Sequence, residues 1–327
     1  MSKFFEDLKA NTDVFRCAVD NGAEVIFMEK GSIGSDEQEE RFIVNTNAKF
    51  FNSDSKVLMA DFVVLKFENG SMVRIEVAEL EQRFNDSEGE WSSIESLIIS
   101  QTIAAVNLSA KIYSTIEKLG SYEEFKENLI VRPINVDINR ASLQGMLFKT
   151  VGDIALVIYG IASDGGEGLN TFKIPADALT MWDMKFDEVF DYAMKNTQRM
   201  AKAEMFLSLL DTSDPCGAKD FMNEDVYLGM DKRKISPLIT TSKRLNGAIA
   251  MFYPGAAERL AEIFGDGYLA AFTSIHECMI HRANDGIDPD TIRRSLADVS
   301  KHFGDEETLS LQAYRYNAET KSLEVIK

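Results

Sequence analysis

The sequence predicts an α+β protein: an N-terminal antiparallel β-meander packed on a long helix, followed by a mixed α/β module. Three observations lead there. VVLKF (63–67) and MVRIEV (72–77) flank Glu68-Asn69-Gly70-Ser71, and Asn-Gly supplies both positive-φ residues of a type I′ hairpin turn. WSSIESLIISQTIAAVNLSAKIYSTIEKLG (91–120) repeats apolar residues at helical spacing. Beyond it, short strands and helices alternate. None of the six prolines precedes Pro133, so the two portions differ in construction, and we read 1–120 as an N-terminal domain and 121–327 as a second.

Taken in order, FFEDLKANTDVFRCAVDNG reads as one amphipathic helix with Phe4, Leu8, Val14, Phe15 and Val19 on its apolar side. EVIFME is a strand, KGSIGSDEQEE (30–40) an exposed loop, and RFIVN (41–45) a further strand. One face of this β segment reads as apolar and the other as polar, so the sheet is expected to be covered on one side. Ser92 and Glu95 form a capping box for the long helix, and Gly120 stands where a helix ends.

In the second portion SYEEFKENLI is a short helix, VRPIN an extended segment forced by Pro133, and DINRASLQGM another short helix. DIALVIYGIAS (153–163) is a near-continuous apolar run, as a central strand buried on both faces requires. DGGEG (164–168) turns it back into LNTFKIP. Helices follow from Pro175 and over 186–202, then a long loop over 211–236. GAIAMFY (247–253) reads as a strand leading into the helix PGAAERLAEIFG. GYLAAFTSIHECMIH gives one or two strands, DPDTIRRSLADVSKHFG a helix, and LQAYRYN and SLEVI two terminal strands.

Composition excludes several functions. Lys plus Arg number 35 against 53 for Asp plus Glu, a net charge of −18. A field of that sign repels phosphate backbones and anionic lipid, which argues against nucleic acid or a membrane surface as partner. The richest basic run, DKRK (231–234), reads as a solvated turn. Cys17, Cys216 and Cys278 are odd in number and form no CxxC, which disfavours a disulfide framework and fits a reducing compartment. MSKFFEDLKA lacks the apolar run of a secretory signal. The apolar stretch LIISQTIAAV is half the length that crosses a bilayer. A cytoplasmic location follows.

TSIHECMIH (273–281) holds two of the three histidines and one of the three cysteines. If the segment is one strand, Ser274, His276, Cys278 and Ile280 share a face, while Glu277 and His281 take the other. That division leaves too few ligands for tetrahedral zinc, so no metal is assigned. The candidate catalytic residues are Ser274, His276 and Glu277, with His276 as base, Glu277 or a distant carboxylate as orienter and Ser274 or Cys278 as nucleophile. No G-x-S-x-G elbow accompanies them. DGGEG lacks the spacing and the Lys-Ser/Thr of a phosphate loop, and DEQEE (36–40) lacks the oxygen pattern of a calcium loop. No cofactor is implied.

NGAIAMFYPGAAERLAEIFGDGYLAAFTSIHECMIH (246–281), together with VRPINVDINRASL, DIALVIYGI, FDEVFDYAMKNTQRM and the C-terminal IRRSLADVSKHF, occurs in an order that resembles a family of uncharacterised proteins. That "domain of unknown function" family is abundant in clostridial and related Gram-positive bacteria. The resemblance covers about 121–327, with a divergent N-terminal part. It implies a bacterial, phage- or mobile-element-borne cytoplasmic protein, singles out Ser274, His276 and Glu277, and brings no activity with it.

The leading functional expectation is therefore a non-enzymatic protein that binds a protein partner or a small ligand. The rival is a hydrolase-like enzyme built on His276, and a third reading is a self-assembling structural component.

Overall fold

The computed structural model describes residues 2–31, 51–52, 57–68, 72–165, 168–208, 212–214, 217–226 and 237–326. The expected strand RFIVN, most of the 30–40 loop, the Asn69-Gly70 turn and the DKRK run lie outside the described residues. The chain divides into two compact units, Met1–Ser114 and Thr115–Lys327.

In the first unit the expected N-terminal helix is interrupted. Helix α1 (Lys3–Ala10) stops at Asn11, a 3₁₀ turn covers Thr12–Phe15, and α2 (Arg16–Asp20) resumes. The Asn-Thr-Asp run at the break consists of side chains that compete with helical hydrogen bonding. Phe4, Phe5, Leu8, Val14 and Phe15 are buried, but Val19 is 55% exposed.

Strand β1 (Ala23–Met28) is followed by β2 (Phe51–Asn52) and β3 (Val57–Leu58), which pair with each other, and then by β4 (Phe62–Phe67) and β5 (Met72–Glu76). The main sheet runs β1-β4-β5, antiparallel throughout.

Helices α3 (Val77–Asp86) and α4 (Trp91–Lys118) complete the unit, and α4 continues past its boundary. Val63, Leu65 and Phe67 pack in one cluster with Ile94 and Ile98 of α4. Phe62 and Val64 pack with Met28 and Leu58 in another. The sheet is therefore buried on both sides at β4, which corrects the expectation of one covered face. FVVLKF carries no alternation because neither of its faces meets water. Helix α4 opens at Trp91, so Ser92 lies within the first turn and does not cap it.

The second unit holds two antiparallel sheets. A short helix α5 (Tyr122–Phe125) leads into β6 (Leu129–Asn135), α6 (Arg140–Leu143), β7 (Phe148–Val151), β8 (Ile154–Gly165) and β9 (Gly168–Lys173). β8 is central: β6 pairs along one edge, while β7 and β9 share the other. Gly165 pairs with Gly168, so DGGEG is the hairpin the sequence suggested.

Then come α7 (Ala178–Trp182), α8 (Phe186–Met200), β10 (Ala203–Phe206) and β11 (Leu238–Thr241). A 3₁₀ helix (Gly247–Phe252), α9 (Ala256–Phe264), β12 (Leu269–Ser274), β13 (Glu277–His281), α10 (Pro289–Phe303), β14 (Ala313–Asn317) and β15 (Ser322–Val325) complete it. The second sheet runs β10-β11-β13-β12-β14-β15.

Here the structure corrects the expected strand over GAIAMFY. The segment is a 3₁₀ helix buried from Gly247 to Met251. It is apolar on every side because it lies inside the core with Leu129, Val189, Phe272 and Ile280, so its composition resembles a buried strand. β10 and β11 carry no readable alternation and were not expected; β11 is buried at all four positions. The opposite face of the second sheet is covered by α10, where Ile292 and Leu296 meet Leu269, Ala271 and Ala313. Among the described residues no helix is long and apolar enough to cross a membrane.

The two sheets of this unit are tied at the β7–β8 turn. The Tyr314 hydroxyl donates to the Asp153 carboxylate at 2.5 Å, and Ser310 Oγ donates to it at 2.8 Å. Gly152, at φ +60, lets them close: a Cβ there would lie 2.4 Å from Val325 Cγ2 and 2.6 Å from the Tyr314 hydroxyl. We expect Gly152→Ala to lower stability by about 2 kcal/mol, from strain at positive φ plus overpacking. Urea unfolding measures it, and an unchanged midpoint would contradict the tie.

Candidate functional site

Ser274, His276 and Glu277 stand on the β12–β13 hairpin, where Ser274 pairs with Glu277 and Ile275-His276 forms the turn. The strand alternation expected through 273–281 is therefore broken at the turn. Cys278 and Ile280 point into the main core, whereas Met279 packs on the α10 side. His276 and His281 sit at opposite ends of β13, so the two imidazoles are far apart, though for a different reason than alternation along one strand. Among the described residues no cluster of three or more His, Cys, Asp and Glu side chains is placed to hold a metal ion.

The hairpin turn is stitched to three other segments. Ser274 Oγ, buried, accepts from the His276 backbone N–H at 3.0 Å. The His276 carbonyl accepts from Thr240 Oγ1 of β11 at 2.8 Å. Ile275 donates its N–H to the Glu307 carbonyl at 2.8 Å and accepts from Ala248 N–H at 3.2 Å. The imidazole completes the set: Nδ1 accepts from the Asn246 backbone N–H at 3.0 Å, which places the ring proton on Nε2. That nitrogen faces Glu307 Oε1 across 3.9 Å.

Asn246 needs this support, because its backbone is left-handed (φ 52), as is that of Arg244 (φ 54). Gly247 allows the close approach: a Cβ there would lie 2.1 Å from Thr240 Oγ1 and 2.4 Å from the His276 carbonyl oxygen.

Ser274 Oγ thus meets His276 at its backbone N–H and not at its imidazole. Glu277 accepts from Thr273 Oγ1 at 3.1 Å. Among the described residues, neither it nor Ser274 Oγ hydrogen-bonds the imidazole. The Cys278 thiol is wholly buried, and burial pushes it well above its usual value, which removes the reactive thiolate.

What the turn supports is a cleft. The segment Lys243–Ile249 forms one wall of a cavity of about 200 Å³. Its floor is β6 at Ile130 and Arg132, and the facing wall is the end of α8 at Thr197 and Met200. Leu169 of the β8–β9 hairpin and Leu245 extend its apolar lining.

β6 is an edge strand, and α8 covers that edge with side chains. Thr197 Oγ1 accepts from Val131 N–H at 2.8 Å, and Asn196 Nδ2 donates to the Leu129 carbonyl at 2.8 Å. A strand edge covered in this way is satisfied but not filled, and the cleft is the remaining space. Rare residue types pointed to the hairpin, and Lys243-Arg244 before Asn246-Gly247 read as a solvated turn or an anion site, but nothing local in the sequence pointed to Arg132, whose surroundings come from distant segments.

The chain matches the family of unknown function DUF5688 over residues 59–318. It belongs to that family. The match reaches back well beyond residue 121, taking in β4, β5 and α4, so the N-terminal portion is less divergent than the sequence reading held. No curated protein and no solved structure matches the chain. For this DUF5688 member the hairpin and the cleft both lie inside the matched span.

Two outcomes follow. His276→Phe leaves the Asn246 N–H without its acceptor and should cost about 1–2 kcal/mol in urea unfolding. His276→Asn, whose amide oxygen can replace Nδ1, should recover most of that; equal losses in both variants would contradict the bond. Separately, burial lowers the His281 imidazole below its usual value, with Asp285 opposing. The unfolded chain then binds the proton first, so this contribution to stability is intact above the ordinary histidine value of ~6.5 and is lost as pH falls through it. Melting temperatures of His281→Gln and the parent should converge on acidification below ~6.5, or the variant should overtake; parallel curves would contradict it.

Proposed function

We propose that this protein is a non-enzymatic, cytoplasmic binding protein, and that it binds a small ligand in the cleft between β6, the end of α8 and Lys243–Ile249. The observation that carries the reading is that cleft itself. It is concave, mainly apolar, and carries a few convergent polar groups, as small-ligand sites do. Its wall includes one non-glycine residue in left-handed conformation, Asn246, a conformation that proteins concentrate at ligand-holding segments.

The hairpin chemistry supports binding over hydrolysis. Ser274 is engaged with its own turn, Cys278 is a core thiol, and the His276 acceptor nitrogen is occupied by Asn246. The cytoplasmic part of the reading is supported by Cys17 and Cys278 as free thiols and by the acidity of the chain.

Filling the cleft tests the proposal. Leu245 is 51% exposed at the rim, so Leu245→Trp should fold normally and occlude the cavity. In ligand-observed NMR with a library of small aromatic and aliphatic fragments, the parent should bind a subset that the variant loses. If no fragment binds the parent in a way that Leu245→Trp abolishes, the reading fails.

A further inference from the structure

The cleft contains a half-buried cation, Arg132, whose partners among the described residues are neutral. Arg132 Nη1 donates to Thr171 Oγ1 at 2.8 Å, and its guanidinium lies 5.3 Å from the centroid of the Tyr159 ring. Among the described residues no carboxylate lies within ion-pair distance of it. Burial lowers its value from the ordinary arginine range, as expected of a charge partly stripped of water.

Carboxylates outnumber cations 53 to 35 in the chain. Four other described arginines of the unit face acids: Arg140 with Asp137, Arg199 with Glu127, Arg259 with Glu262 and Arg293 with Asp290. Arg132 is the floor of the cavity, and a second cation, the exposed Lys243, stands at its rim. An uncompensated buried charge is costly unless something pairs with it.

Resting on the ligand-binding reading above, we infer that the cleft takes a small amphipathic acid, with its carboxylate on Arg132 and its apolar body between Ile130, Met200 and Leu245. A guanidinium that spends one N–H on Thr171 retains donors for a carboxylate, and paired N–H donors match two carboxylate oxygens. The volume of about 200 Å³ holds roughly seven water-sized groups, which limits the body to a single ring or a short branched chain. The Tyr159 ring, 5.3 Å from the guanidinium carbon, adds a cation–π contact that helps hold the group at the floor of the cleft.

The test uses the full chain and four probes: benzoate, its neutral isostere benzamide, inorganic phosphate, and the neutral fragments that respond to Leu245→Trp. Benzoate should bind at least about tenfold more tightly than benzamide by titration NMR, the value of one charged hydrogen-bonded contact. Arg132→Gln should erase that preference while near-ultraviolet circular dichroism stays unchanged. If Arg132→Gln unfolds the unit, Lys243→Gln on the exposed rim decides, and should weaken benzoate by about threefold without affecting benzamide.

Equal binding of benzoate and benzamide, a preference that survives Arg132→Gln, or phosphate binding as tightly as benzoate would overturn the inference. If neutral fragments still bind in those cases, the cleft reading stands and only the acid is wrong. If no probe binds the parent at all, both fail together.

Discussion

One hydrogen bond between backbone and side chain organises the region that matters most here: Asn246 N–H to the imidazole Nδ1 of His276. Around it, a hairpin turn, a strand end and a 3₁₀ helix are brought within a few ångströms of one another, and no side chain fits between them. Gly247 is required because a Cβ would meet Thr240 Oγ1 at 2.1 Å. Thr240 in turn donates to the His276 carbonyl at 2.8 Å. The turn is closed from inside by Ser274 and from outside by the Glu307 carbonyl. His276 is thus a positioning residue: its ring holds a left-handed loop that the loop's own residues disfavour.

That loop matters because β6 is an edge strand. Its exposed backbone groups are satisfied by Thr197 and Asn196 of α8 instead of by another strand. Side chains cap hydrogen-bonding groups at intervals, whereas a strand would fill the space continuously. The consequence is a cleft whose floor carries Arg132, and whose third side is the loop that His276 supports. Architecture and electrostatics converge there, since the same edge that lacks a strand also lacks, among the described residues, a carboxylate near its arginine.

How much of this was legible in the sequence depended on how local the cause was. The pairing of β4 with β5 and the helix over 91–118 were readable because turn formers between two apolar runs and helical spacing act over a few residues. β8 was readable because a strand buried on both faces leaves an unbroken apolar run. GAIAMFY was misread for the same reason in reverse: a 3₁₀ segment enclosed by core has no polar side to betray its period. LITT, four residues long, is too short to show a pattern. The N-terminal helix broke at Asn-Thr-Asp, where three competing side chains outweighed the apolar spacing on either side.

Within the site, TSIHECMIH stood out through rare residue types, and the segment is indeed central. Yet its chemistry lies in backbone groups and in one imidazole acceptor, not in a triad. Arg132 was invisible because its isolation is a fact about space: Thr171 and Tyr159 arrive from tens of residues away, and no periodicity reports which carboxylates fail to arrive. Membership of DUF5688 rests on a match that covers most of the second portion and reaches back to residue 59.

Backbone amide hydrogen exchange in the His276→Phe protein tests the dependence of the cleft wall on the imidazole most directly. The account predicts that protection falls at Asn246, Ala248 and Ile249 while Leu156 and Ile158 of β8 keep theirs. Unchanged protection across 243–249, in a variant that is otherwise folded, would show that the wall stands without His276 and would contradict the account.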